Sequence, residues 1–208
     1  MPTLRDLQTI ESEFLGKSQE YRGIMRKLTL ASADALDLNT HENIIAEGTF
    51  VRHFTLWERS LEAAFIYFCQ GGVSLAGTQH VCRLANCDGI MVRKILGAGQ
   101  KYIDWAVPGN VRERAKLFFE EGRPFHDPMI GKADVLADAQ KIRNVIAHDS
   151  LEAWNSFAQV QRNNFQTERD FPMSPGQMLR ARTARSVISL GEVYFDAIAE
   201  VFAAILRA

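Results

Sequence analysis

The stretch QKIRNVIAHDS, residues 140–150, sets Arg143, Asn144 and His148 within two helical turns of an otherwise apolar run. At about 100° per residue, Asn144 and His148 share a helix face, and Arg143 flanks it about 140° from His148 around the axis. All three line one groove only if that groove wraps the helix or a partner helix closes over it. The helical pattern ends at His148, where the last backbone carbonyls favour an imidazolium. A histidine ordinarily titrates near pH ~6.5, so this position suits proton exchange close to neutrality. The same residues also have a structural reading. His148 would then cap the helix, Arg143 would pair with an acid such as Asp138 or Glu58, and Asn144 would satisfy a loop backbone.

The elements that must hold this motif read as helices. Leu4, Leu7, Ile10 and Phe14, then Tyr21, Ile24, Met25 and Leu28, recur at helical spacing. They predict one helix or two over about residues 3–35, with a disturbance at Gly16 and a turn at DLNT. Ile44, Ile45, Phe50, Phe54, Trp57, Leu61, Phe65 and Phe68 mark a long helix over about 41–69, ended by the glycines of QGGVSLAGT. The middle, about 71–129, is less regular. It offers a short helix at DGIMVRKILG, a helix from a capping Asn110 to Gly122, and a loop at GRPFHDP. A further helix runs from about 131 to His148. Asp149 and Glu152 then resemble a capping box for the next, whose apolar side is Leu151, Trp154, Phe157 and Val160. SPGQ opens the last helix, with Ser174 as cap, Pro175 first and Gln177 third. Alternating strand patterns are nearly absent. The expected fold is therefore all-α, a bundle of long helices with a smaller helical insertion in the middle. It forms one domain over 1–208, with the inserted region at about 71–129. The apolar last helix suits a homodimer.

IRNVIAHDS is similar to the signature of the HEPN superfamily (higher eukaryotes and prokaryotes nucleotide-binding). There four to six residues separate an arginine from a histidine, and a polar residue commonly follows the arginine, as Asn144 does. The branch it resembles most is the RiboL-PSP-HEPN-like group, with RN, two or three residues and AH. FTLWERSLEAAF resembles that group's early helix, and Glu58 matches its glutamate. The resemblance covers about 40–70 and 130–206; the segment 71–129 looks like an insertion, and no residue is carried from it. What the resemblance implies is a HEPN-like domain acting as a metal-independent endoribonuclease with no cofactor. His148 would move protons, Arg143 would contact the scissile phosphate, and Asn144 and Glu58 would support them. The ribose 2′-OH would attack, leaving a 2′,3′-cyclic phosphate and a 5′-OH. The residue types suit this work: general acid–base transfer is worth about 10²–10⁴-fold, and a guanidinium fork can brace charge on phosphoryl oxygens. The resemblance further implies a homodimer with a site shared between protomers, a toxin or defence role, and an antitoxin protein as partner. The alternatives are a non-catalytic HEPN module that binds nucleotide, RNA or a partner protein, and a purely structural helical dimer.

Arg180, Arg182 and Arg185 in LRARTARS fall in the first turns of the expected last helix, where the dipole disfavours cations. That placement suggests phosphate contacts along RNA, with Arg162, Asn163 and Asn164 adding to the patch; solvated arginines are the competing reading. Trp57, Trp105 and Trp154 can stack bases, but Trp57 and Trp154 sit on apolar stripes and read as core. His126 beside Asp127 is a second acid–base candidate or a solvent-facing turn, His53 a core histidine, and His41 a helix-start residue. His80, Cys82 and Cys87 lack the spacing of a structural zinc site, so no metal is expected. No Gly-rich phosphate loop and no GxSxG element occurs.

The whole chain sets outer bounds. Its 208 residues carry a formal net charge of -1, so any nucleic-acid site must be a local patch. Three cysteines make no disulfide framework and favour a reducing, cytoplasmic setting. MPTLRDLQTIESEF has acids and no apolar run, so it is not expected to be a signal peptide. The apolar C-terminal segment carries Glu192, Asp196 and Glu200 along one face, which a bilayer would tolerate poorly; no membrane association is expected.

Overall fold

The helical periodicity of the sequence is realised as nine α-helices among the residues that the computed structural model describes, namely 6–29, 40–84, 87–97, 103–165, 173–184 and 186–208. They are α1 (Leu7–Leu28), α2 (Thr40–Cys69), α3 (Gly89–Gly97), α4 (Pro108–Phe118), α5 (His126–Ile130), α6 (Ala133–Ala147), α7 (Leu151–Phe165), α8 (Pro175–Arg180) and α9 (Leu190–Arg207). Among the described residues there is no strand, only isolated bridges, so the fold is all-α. No described helix is long and apolar enough to cross a membrane.

The chain divides into two compact units. One comprises Met1–Gly16, Leu56–Ala133 and Ile198–Ala208; the other comprises Lys17–Thr55 and Asp134–Ala197. The first unit is built on aromatic packing. The Phe65 ring meets Trp105, Phe119 and Phe125 at centroid distances of 5.3, 5.0 and 4.9 Å, and Phe14 meets Phe202 at 4.5 Å. In the second unit Phe50 stacks on Phe195 at 5.9 Å, and His53 stacks on Phe195 at 4.0 Å. His53 is fully buried and shares a 2.9 Å hydrogen bond with Ser18. Burial pushes its pKa down to about 3, so it is a neutral core histidine.

The three acids along α9 are all matched by cations. Arg22 grips Asp196 through two hydrogen bonds of 2.6 and 3.0 Å, and Arg26 reaches the buried Glu192 at 3.3 Å. In the first unit Lys132 pairs with Glu200 at 2.8 Å. The face that argued against a bilayer span is thus a row of ion pairs.

Several element boundaries differ from expectation. α1 spans Leu7–Leu28 and runs through Gly16 without a break; the expected helical stretch from 30 to about 35 and the turn at DLNT up to Asn39 lie outside the described residues. α4 starts at Pro108 behind Val107, so Asn110 is not its cap; the Asn110 amide instead donates to Asp104. α4 stops at Phe118 because Phe119 turns extended to pair with Cys82. GRPFHDP is not a plain loop: its end forms α5, whose Met129 and preceding Phe125 are drawn into the core. The expected last helix is two helices. α8 carries the capping box read at Ser174 and Gln177. The chain then extends through Ala181 and restarts at α9, where Ser189 and Glu192 exchange hydrogen bonds of 3.1–3.3 Å in a second box of the same kind.

Candidate functional site

α6 buries Leu136, Ala139, Ile142 and Val145, a stripe at three-residue spacing that fixes its rotation against the core. Arg143 and Asn144 therefore flank the buried stripe and are half-buried. The helical hydrogen-bond pattern continues one step past Ala147, with the His148 N–H donating to the Asn144 carbonyl at 2.9 Å. His148 itself is exposed. α7 begins three residues later, capped by Ser150, whose Oγ accepts from the Ala153 N–H at 3.2 Å. Asp149 is therefore not the cap. Its carboxylate accepts a 2.6 Å hydrogen bond from Trp154 Nε1, which ties the two-residue linker His148–Asp149 to α7.

Within this frame the arginine and the histidine meet. Arg143 Nη1 lies 3.5 Å from His148 Nε2 and 3.4 Å from Asn144 Oδ1. The 140° between them is spanned by the length of the arginine side chain, without a partner helix. A guanidinium donates and cannot accept, so in this contact only the Nδ1-protonated tautomer of the imidazole can serve as acceptor. Both contacts are long for hydrogen bonds and correspondingly easy to exchange. The arrangement joins a permanent cation, an amide and an imidazole at one helix end, with His148 exposed and Arg143 and Asn144 half-buried. Such a set can hold an anion and accept a proton beside it. Asp138 does not pair with Arg143; it holds Lys141 at 3.2 Å.

No protein-family model, curated protein or solved structure matches this chain.

The remaining candidates separate. Glu58 is half-buried on α2, in the first unit. Arg180 is 3% exposed, at the C-terminal end of α8, where the dipole favours a cation. It donates to the Leu28 carbonyl at 2.8 Å, to Asn43 Oδ1 at 2.9 Å and to the Glu42 carboxylate. This corrects its expected place in an RNA-facing patch: the break between α8 and α9 turns it inward as a structural arginine. Arg182 is exposed and pairs with Ser189 in a short bridge; Arg185 lies outside the described residues. On α7, Arg162 donates to Gln159 at 2.8 Å, and Gln159 donates to Asn163 at 2.8 Å. Asn164 donates to the Val160 carbonyl at 2.9 Å. Trp57 and Trp105 are buried, and the Arg114 guanidinium lies 4.9 Å from the Trp105 ring.

Trp154 was expected in the core and is instead half-buried beside the His148–Asp149 linker. The polar residues flanking it in the sequence were the available signal. His126 and Asp127 share a 3.0 Å contact at the start of α5. His80 is buried against the Ala208 carbonyl at 3.1 Å, and burial lowers its pKa. Among the described residues no group of three His, Cys, Asp or Glu side chains is arranged to hold a metal ion.

Proposed function

We propose that this chain is a metal-independent endoribonuclease of HEPN type. The observation that carries the reading is the contact between Arg143 Nη1 and His148 Nε2 at the end of α6. Residues that the resemblance pairs for phosphodiester cleavage thereby stand together at a surface-exposed position, with Asn144 beside them.

The chemistry follows from the atoms. A phosphodiester offers Arg143 an anion, which attracts it more strongly than a neutral imidazole does. Its Nη donors move to the phosphoryl oxygens and release His148 Nε2. That nitrogen takes the proton of the ribose 2′-OH as the 2′-oxygen attacks phosphorus. The P–O5′ bond breaks, the cyclic phosphate forms, and a proton delivered to the 5′-oxygen completes the leaving group. Arg143 opposes the extra charge on the phosphoryl oxygens throughout. Asn144 orients the guanidinium through its side-chain carbonyl. In this reading the chain acts as a cytoplasmic homodimer in a toxin or defence setting, restrained by an antitoxin protein.

The test is incubation of the intact chain with total RNA in a chelating buffer, with end-group analysis of the products. Fragments with 2′,3′-cyclic phosphate and 5′-OH ends, lost in His148→Ala, are the expected result. RNA binding without cleavage would replace this reading with that of a binding module. Neither binding nor cleavage would reduce the motif to a helix terminator.

A further inference from the structure

A second group of reactive side chains lies in the first unit, away from the α6 motif. α2 ends at Cys69 and is closed by a left-handed Gly71 with φ 82°. The Gly71 N–H donates to the Phe68 carbonyl at 3.0 Å and the Gly72 N–H to the Tyr67 carbonyl at 3.1 Å, the paired bonds of a Schellman turn. The chain then doubles back. Val73 pairs antiparallel with Gln79, the Ser74 N–H donates to the Thr78 carbonyl at 2.8 Å, and Gly77 takes φ 87° at the tip. This return brings Cys82 back to Cys69. Cys69, Cys82 and Cys87 line one cavity of about 450 Å³, together with His80 and Gln70. Cys69 and Cys82 are free thiols; Cys69 is buried, and Cys82 and Cys87 are half-buried. Burial holds the Cys69 thiol well above its ordinary pKa, and the neighbouring Cys82 and Cys87 thiols raise it further.

We propose that Cys69 and Cys82 are a disulfide-forming pair, oxidised by a hydroperoxide that enters through this cavity. Access sets the order of steps. The more exposed Cys82, as thiolate, attacks one peroxide oxygen. An S–O bond forms, the O–O bond breaks, and the departing oxygen takes up from solvent the proton that Cys82 released on ionising, to leave as water or an alcohol. Cys82 is now a sulfenic acid. The Cys69 sulfur attacks the Cys82 sulfur, the S–O bond breaks, and the hydroxyl leaves with the Cys69 proton as water. Two thiols give up two electrons and two protons, and the peroxide receives both. The product closes residues 69–82 into a covalent loop. It also fastens the Cys82–Phe119 bridge, and with it the end of α4, to the end of α2.

The test uses the folded full chain treated with hydrogen peroxide, quenched with catalase, denatured in excess iodoacetamide and digested with trypsin. Residues 60–83 contain no cleavage site before Arg83, so Cys69 and Cys82 share one peptide and Cys87 falls in the next. The expected result is that peptide 60–83 loses both alkyl groups and becomes lighter by two hydrogens. The Cys87 peptide stays alkylated, dithiothreitol reverses the change, and Cys87→Ser behaves alike. Oxidation of the folded chain should run at least roughly tenfold faster than in urea, because the fold supplies the proximity. A 60–83 peptide that stays doubly alkylated, a bond to Cys87 or to a second chain, or an equal rate in urea would each overturn the proposal.

Discussion

Arg143 Nη1 stands 3.5 Å from His148 Nε2, so the cation of the motif lies against the ring nitrogen of its imidazole. An incoming phosphate must take the guanidinium before the imidazole can take a proton. Arg143→Lys keeps the charge and loses the planar fork that can hold two oxygens at once. RNA cleavage should fall roughly 10²–10³-fold. Because the site lies at an exposed helix end, stability should change by no more than about 0.5 kcal/mol. Initial rates on a defined RNA and a thermal melt read the two effects separately. A large drop in melting temperature with unchanged cleavage would make Arg143 a structural residue.

The buried His53 makes stability pH-dependent. Its folded pKa is about 3 and an unfolded histidine titrates at about 6.5, so between these values the unfolded chain binds the extra proton. Its contribution is fully present above pH ~6.5 and declines as pH falls toward 3, with an upper slope near 1.4 kcal/mol per unit. His53→Phe retains the ring against Phe195 and removes the titration. Its melting temperature should depend less on pH between 4 and 6 than that of the parent chain. Parallel pH profiles for the two proteins would show that His53 is not the titrating group.

Arg180 is buried with a backbone carbonyl, an amide oxygen and a carboxylate as partners. Arg180→Met fills the space and abandons all three, leaving these half-exposed acceptors without the guanidinium. The loss should be about 1–3 kcal/mol in denaturant unfolding. Arg182→Ala, at an exposed position, should cost less than about 0.5 kcal/mol. Equal costs at the two positions would refute the buried role.

Gly176 lies in the first turn of α8, and a Cβ there would come 2.4 Å from the Asn43 carbonyl oxygen. Backbone on α2 cannot swing aside as a side chain can. Gly176→Ala should therefore destabilise by about 1–3 kcal/mol. It should also weaken the 2.8 Å bond from the Gly176 N–H to Glu47. Gly16→Ala, with open space around its Cβ inside α1, should gain up to about 1 kcal/mol. Chemical denaturation of both variants checks the contrast.

The sequence by itself determined the helices and the motif. Apolar residues at three- and four-residue spacing need a helix to reach one core. Arg143, Asn144 and His148 are close in the chain, so their neighbourhood is set by helix geometry. The α8 capping box is legible for the same reason, since Ser174 and Gln177 are only three residues apart. What only the tertiary structure decided depends on residues far apart in sequence. The extended link after Arg180 follows from its partners Leu28, Glu42 and Asn43, about 140–150 residues upstream, which no local pattern encodes. The rotamer that lays Arg143 across to His148 is likewise free in an isolated helix, and it is fixed only once the core has set the rotation of α6. The meeting of Cys69 and Cys82 depends on the Gly71 and Gly77 reversals holding together. Spacing tells which side chains share a face; only packing tells which way that face is turned and what comes back to meet it.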